Sequence, residues 1–220
     1  MPDILDLTIL YWNLPEGMGI PDFSLLQSLS SLDYEGFLPN HTPILPETLQ
    51  SLRVSRSFGL GISGLKNLTT LIIPFSNQIL PSDLYVLLEP GKGNLRTLAI
   101  NHSTQFDMQG LIHDLCFQGF LPRIEDLVLK ESALDDRALK WLADHCPRLT
   151  SLNVSHNESI TGVGIKALVL KEGDKIANIN LTHCRGVSPD AVQWARQQGV
   201  HIIYKFPDYG RNQGRRVRYG

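Results

Sequence analysis

The stretch from Leu149 to Cys184 contains one pattern written twice. Leu149, Leu152 and Val154 stand at spacing L-x-x-L-x-L, with Asn157 three residues further on; Ile176, Ile179 and Leu181 repeat it, with Cys184 in the place of Asn157. Between the two, a helical phrase begins at Thr161 and runs through Ile165 and Leu168. The triplet recurs upstream as Ile124, Leu127, Leu129, as Leu95, Leu98, Ile100, and as Leu68, Leu71, Ile73. Further back stand Leu49, Leu52, Val54, then Leu29, Leu32, Tyr34, and more weakly Ile4, Leu7, Ile9. Successive first members are 25, 20, 19, 27, 29, 25 and 27 residues apart. A short strand, a polar turn and a helix at this period cannot bury their apolar side alone. They bury it only against the next copy of themselves.

This is the unit of a leucine-rich repeat. It predicts an α/β solenoid shaped like a horseshoe, with a parallel β-sheet on the concave face and helices and loops on the convex face. The repeat domain spans residues 1–206 in about eight repeats, of which 1–48 are the least regular. Residues 207–220, rich in Gly, polar and charged residues, read as a disordered tail.

Charge and cysteine content narrow the function. From Lys205 to Gly220 five basic residues face one acid, Asp208, so the chain's net −2 is +4 in this tail and −6 in the body. An acidic body does not suggest a nucleic-acid groove. The three cysteines, Cys116, Cys146 and Cys184, are too few for a disulfide framework. The N-terminus lacks the basic start and long apolar core of a secretory signal, and no run reaches the length of a membrane span. Six Asn-x-Ser/Thr triplets occur, but Asn153 and Asn180 fall inside predicted strands, where a glycan would block the sheet face. The reading is an intracellular protein, cytoplasmic or nuclear.

Along the chain, Ile4 to Leu10 reads as a strand. Either the chain belongs to a longer protein or the loop from Trp12 to Pro21 folds back over this end. Pro21 to Gln27 reads as a short helix with Phe23 and Leu26 inward. Ser57 to Gly64 holds three glycines and reads as loop, whereas Ser82 caps a helical run through Leu84, Leu87 and Leu88. From Leu95 onward the helices become clear. Asp107, Asp135, Thr161 and Ser188 stand at N-cap positions, Pro189 follows the last, and Gly119 and Gly199 close the first and the fourth. Val200 to Phe206 reads as a final strand.

His145-Cys146-Pro147-Arg148-Leu149-Thr150-Ser151-Leu152 resembles the cysteine-containing repeats of F-box/leucine-rich-repeat proteins. Ser159-Ile160-Thr161-Gly162-Val163-Gly164-Ile165-Lys166-Ala167-Leu168 resembles the second half of the same repeat, and Gly186 to Val192 its helix start one repeat later. The likeness covers about residues 124–206 and is generic before that. It implies a ribonuclease-inhibitor-like horseshoe that recognises substrates for a ubiquitin ligase of the SCF type. The F-box itself is not found: Leu14-Pro15-Glu16 and Leu45-Pro46-Glu47 echo its opening, but no amphipathic helices follow. A link to the ligase scaffold would therefore run through an upstream F-box that this sequence does not contain.

In such a repeat the triplet points inward and the residues between line the concave face. The position between the second and third aliphatic residue gives Thr8, Asp33, Arg53, Ile72, Ala99, Val128, Asn153 and Asn180. Two residues on lie Leu10, Glu35, Ser55, Pro74, Asn101, Lys130, Ser155 and Thr182, and the strand exits add Arg56, Phe75, His102, Glu131, His156 and His183. Ile72, Ala99 and Val128 form an apolar stripe with a polar rim, which suits a protein or peptide. The competing reading is a ladder of β-formers that stabilises the sheet. The candidate protein-binding residues are Arg53, Arg56, Ile72, Phe75, Ala99, Asn101, His102, Val128, Lys130, Asn153, His156, Asn180 and His183, with Phe75 and Ile72 as anchors.

His156 and His183 occupy equivalent positions and invite a metal, but zinc sites use three or four protein ligands. No metal and no cofactor are expected. No phosphate loop and no G-x-S-x-G elbow are found, and Asp135 and Asp136 suit helix caps, so the chain does not read as an enzyme. The expected function is protein–protein interaction: substrate recognition for the ligase, or else a scaffold or assembly role without ubiquitin. A third possibility is RNA or phosphoinositide binding through the arginines at 211–218.

Overall fold

The architecture follows from a computed structural model that describes residues 4–13, 22–38, 44–57, 65–74, 84–85, 88, 94–101 and 107–205, without the side chains of 10–13, 36–38 and 56–57. The strands are β1 (Asp6–Asn13), β2 (Ser31–Leu38), β3 (Ser51–Ser57), β4 (Thr70–Ile73), β5 (Thr97–Ile100), β6 (Asp126–Val128), β7 (Ser151–Asn153), β8 (Asn178–Asn180) and β9 (His201–Ile203). They form a nine-stranded sheet in sequence order, and every neighbouring pair is parallel. The chain is an α/β leucine-rich-repeat solenoid.

Register shows why the triplets recur. The second triplet members form one row across the sheet, Leu7, Leu32, Leu52, Leu71, Leu98, Leu127, Leu152, Ile179 and Ile202, each opposite the next. From Leu29 to Leu181 every triplet member is buried. Burying one such aliphatic side chain stabilises the fold by about 1.5–3 kcal/mol, so the seam dominates the energetics. The first repeat departs from this rule. Ile4 is 39% exposed and Leu7 and Ile9 are half-buried, because among the described residues β1 has a sheet neighbour on one side only.

Helices α1 (Met108–Phe117), α2 (Asp136–His145), α3 (Gly162–Val169) and α4 (Pro189–Gln197) back the later coils. Their N-caps are those anticipated: Asp107, Asp135, Thr161 and Ser188 each accept a bond from a first-turn backbone N–H. Gly119 and Gly199 adopt left-handed backbone just past α1 and α4. Residues 84, 85 and 88 are helical, with Leu84 and Leu88 buried. The expected helix at Pro21–Gln27 is not formed over the described residues 22–27. Asp22 accepts the Ser24 N–H at 2.9 Å, a turn follows, and Phe23 packs edge-on against Tyr34. One turn of chain is too short to recover the cost of starting a helix. The glycine-rich 58–64 segment and the 207–220 tail lie outside the described residues.

Two side chains fasten coil to coil at the turn after the strand. Asn157, fully buried, accepts the N–H groups of Ser132 and Leu134 at 3.0 Å each and donates to Leu129 O at 2.9 Å and Val154 O at 2.8 Å. Cys184, one repeat on, donates its thiol to Val154 O at 3.1 Å. Burial pushes the Cys184 thiol up to about 11, against the opposing pull of the Asn157 and His156 N–H groups. A hydrogen bond with Cys116, together with burial, likewise raises Cys146. All three cysteines are buried and thiolate is the reactive form, so iodoacetamide in mildly alkaline buffer is expected to label none of them appreciably until urea unfolds the chain. Rapid labelling of Cys184 in the folded protein, read by mass spectrometry, would contradict this arrangement.

Candidate protein-binding face

Strand alternation puts the residues between the triplet members on the concave side, and the register aligns them into rows. One row runs Thr8, Asp33, Arg53, Ile72, Ala99, Val128, Asn153, Asn180 and Ile203. Ile72 and Val128 are half-exposed, as the stripe requires. Ala99 corrects the expectation: it is only 6% exposed, because its single methyl sits in register between the larger Ile72 and Val128. The stripe is thus two shoulders with a floor between them. Ile203, 41% exposed, extends the row beyond Asn180.

Arg53 is exposed and its Nε lies 3.6 Å from Asp33. Both side chains are more than a third exposed, so the pair is worth about 0–1 kcal/mol and a partner could displace it. Asn153 and Asn180 do more than line the face: each accepts the N–H two residues on, from Ser155 at 3.1 Å and Thr182 at 3.0 Å. Those bonds hold the strand exits and occupy one acceptor site on each oxygen. Asn101 and Lys130 are half-exposed. Asn101 Oδ1 and Ser155 Oγ are buried with no hydrogen-bond partner among the described residues. The anchor Phe75, His102 and the side chain of Arg56 lie outside the described residues.

His156 and His183 do meet. Their ring centroids are 4.3 Å apart with planes inclined by 31°, a tilted ring contact. Both have left-handed backbone, as do Glu131 and Ala133, so the chain turns sharply where it leaves β6, β7 and β8. Among the described residues no three His, Cys, Asp or Glu side chains gather to hold a metal ion. The sequence offered no glycine to mark these turns. The same alternation implies a further row that the candidate set lacks: Ser31, Ser51, Thr70, Thr97, Asp126, Ser151, Asn178 and His201, one pleat nearer the strand starts.

A second cluster lies on the convex side. Phe117, 60% exposed, packs against His113 and His145 at centroid distances of 4.5 and 4.9 Å, and His113 meets Trp141 edge-on at 4.9 Å. No helix among the described residues is long and apolar enough to cross a membrane.

Together the fold and this face define a leucine-rich-repeat module with an open concave sheet. No family model matches the chain. Over 83 residues, 37% of the chain, it is 34% identical to the F-box/TPR repeat protein pof3 of Schizosaccharomyces pombe, and that stretch is 14% of pof3. In the crystal structure of the Rad7 and Elc1 complex in yeast, a chain aligns with TM-score 0.51 at 17% identity, over 82% of this chain and 56% of that one. The chain thus spans a small fraction of its curated relative and about half of the solved chain. The solved structure confirms the solenoid, and the relative is a repeat protein.

Proposed function

We propose that this chain is a non-catalytic, intracellular recognition module that holds a polypeptide across its concave face, as the substrate-binding part of an F-box-type ubiquitin ligase. One observation carries the recognition part: the half-exposed Ile72 and Val128 stand either side of a shallow floor, bordered by polar rows. Apolar anchors inside a polar rim suit a peptide. The ligase part is supported by the likeness to pof3, an F-box/TPR repeat protein, and by the cysteine-containing repeats around Cys146 and Cys184. A scaffold or assembly role without ubiquitin is the second reading.

Peptides selected from a random display library on the immobilised chain supply the test. Val128→Glu puts a charge on one shoulder while leaving the inward triplet untouched, and is expected to weaken the selected peptides at least tenfold with little change in melting temperature. Phe117→Ser on the convex side is expected to leave them bound. The opposite pattern would move the binding face to the helices. For the ligase part, the full-length protein containing this chain should co-purify with the F-box-binding scaffold subunit. A full-length protein that fails to do so leaves the scaffold reading.

A further inference from the structure

We infer that the polypeptide held by this face carries carboxylate side chains where it crosses β6 to β9, a conclusion that rests on the concave-face reading above. Past the strand ends the hydrogen-bond ladder continues, with Glu131 N–H donating to Ser155 O at 3.0 Å, His156 N–H to Thr182 O at 2.9 Å and His183 N–H to Lys205 O at 2.9 Å. Lys130, Ser155, Thr182 and Lys205 therefore form one row, two lysines with two hydroxyls between them. Tyr204 points inward, its hydroxyl donating to Val187 O at 2.6 Å, which turns Lys205 to the concave side. Lys130 is half-exposed and Lys205 exposed, and neither is in an ion pair among the described residues. Ser155 is 2% exposed, and its hydroxyl lacks a partner in the middle of this row. The tilted ring pair of His156 and His183 stands one position beyond this row.

The rest of the face has a different charge. Glu131 and Asp126 are the carboxylates on β6 and its exit, so the cationic character belongs to the row itself and not to the whole strand. On β4 and β5 the described concave residues, Thr70, Ile72, Pro74, Thr97, Ala99 and Asn101, carry no charge. On β1 to β3 the acids Asp6, Asp33 and Glu35 outnumber the one described base, Arg53. Among the described residues the groove thus runs from acidic, through apolar, to a row ended by lysines outside any ion pair. An extended segment lying across it is held in one direction, its acidic part over β7 and β8. From Val128 on β6 to the midpoint of Ser155 and Thr182 is about 7 Å across the strands and about 7 Å along them, roughly 10 Å in all. That is roughly three residues of extended chain. The expected ligand pattern is an apolar residue with acids beginning three positions on.

Synthetic fluorescein-labelled peptides with one leucine followed, three residues on, by four glutamates provide the probe, beside versions carrying glutamine, lysine or phosphoserine in place of the glutamates. The glutamate peptide is expected to bind at least tenfold more tightly than the glutamine one and to lose most of that advantage when ionic strength rises about tenfold. Lys130→Glu with Lys205→Glu should abolish the preference. Lys140→Glu with Lys166→Glu, the same charge change on exposed convex positions, should leave it. Equal binding of the glutamate and glutamine peptides, or binding of the phosphoserine peptide alone, would overturn the inference. If library-selected peptides depend on Val128 but are neutral or basic, the carboxylate inference falls while the recognition face stands. If no peptide depends on Val128, the recognition reading itself has failed.

Discussion

Asn157→Ala is expected to destabilise the solenoid by roughly 3–5 kcal/mol, since each buried group left without its partner costs about 1–3 kcal/mol and the losses overlap. The side chain it removes is fully buried and serves two N–H groups of the preceding turn, at Ser132 and Leu134, and two carbonyls, at Leu129 and Val154. Ser132, Leu134, Leu129 and Val154 are themselves buried, so solvent does not readily take over these bonds. Asn157→Asp keeps the acceptor but loses both donors and buries a charge, so it should be no less damaging. Because coils interact only with their neighbours, the loss falls first on the joint between the repeats of β6 and β7. Urea unfolding followed by circular dichroism gives the size of the effect. Amide exchange gives its location, with Ser132 and Leu134 losing protection before Leu52 or Leu71. A variant as stable as the parent would show that the four bonds contribute nothing net.

That Asn157 is a turn residue could be seen in the sequence; that it fastens two coils could not. The triplets were legible because burial in a parallel seam demands an aliphatic residue at the same offset in every coil, and so leaves a periodic mark. The concave rows were legible for the same reason, since alternation follows from the strand. Ala99 failed because exposure depends on the neighbours' size, here Ile72 and Val128, which lie 27 and 29 residues away in sequence. The left-handed turns at Glu131, His156 and His183 left no mark, because their conformation is imposed by the ladder bonds to the next coil and not by a glycine. At Pro21–Gln27, proline and one turn of apolar spacing mimicked a helix that lacks the length to sustain itself. Local pattern reports what each coil needs, whereas the joints depend on partners a whole coil away, as Asn157 does on Ser132 and Leu134.

Gly164→Ala is the sharpest test of those joints, because helix propensity and packing predict opposite signs. Glycine inside a helix costs about 1 kcal/mol relative to alanine, so by propensity alone the change in α3 would stabilise. The methyl, however, would stand 2.5 Å from Asp136 Oδ1, 3.0 Å from Leu139 Cδ2 and 3.2 Å from the Asp136 Cα of α2. Asp136 cannot simply swing aside. Its Oδ1 accepts the Thr161 N–H at 2.7 Å and its Oδ2 accepts the Thr161 hydroxyl at 2.5 Å, which ties α2 to the first turn of α3. Moving the carboxylate gives up bonds to a charged acceptor worth about 1.5–3 kcal/mol each, and keeping it forces the two helices apart. The balance is a net loss of roughly 2 kcal/mol, with packing outweighing propensity. Asp136→Ala removes the obstructing oxygen, so in that background Gly164→Ala should become neutral or stabilising, and the difference measures the coupling. If Gly164→Ala raises the urea midpoint of the otherwise unchanged chain, α2 and α3 do not approach as closely as the joint between their coils requires.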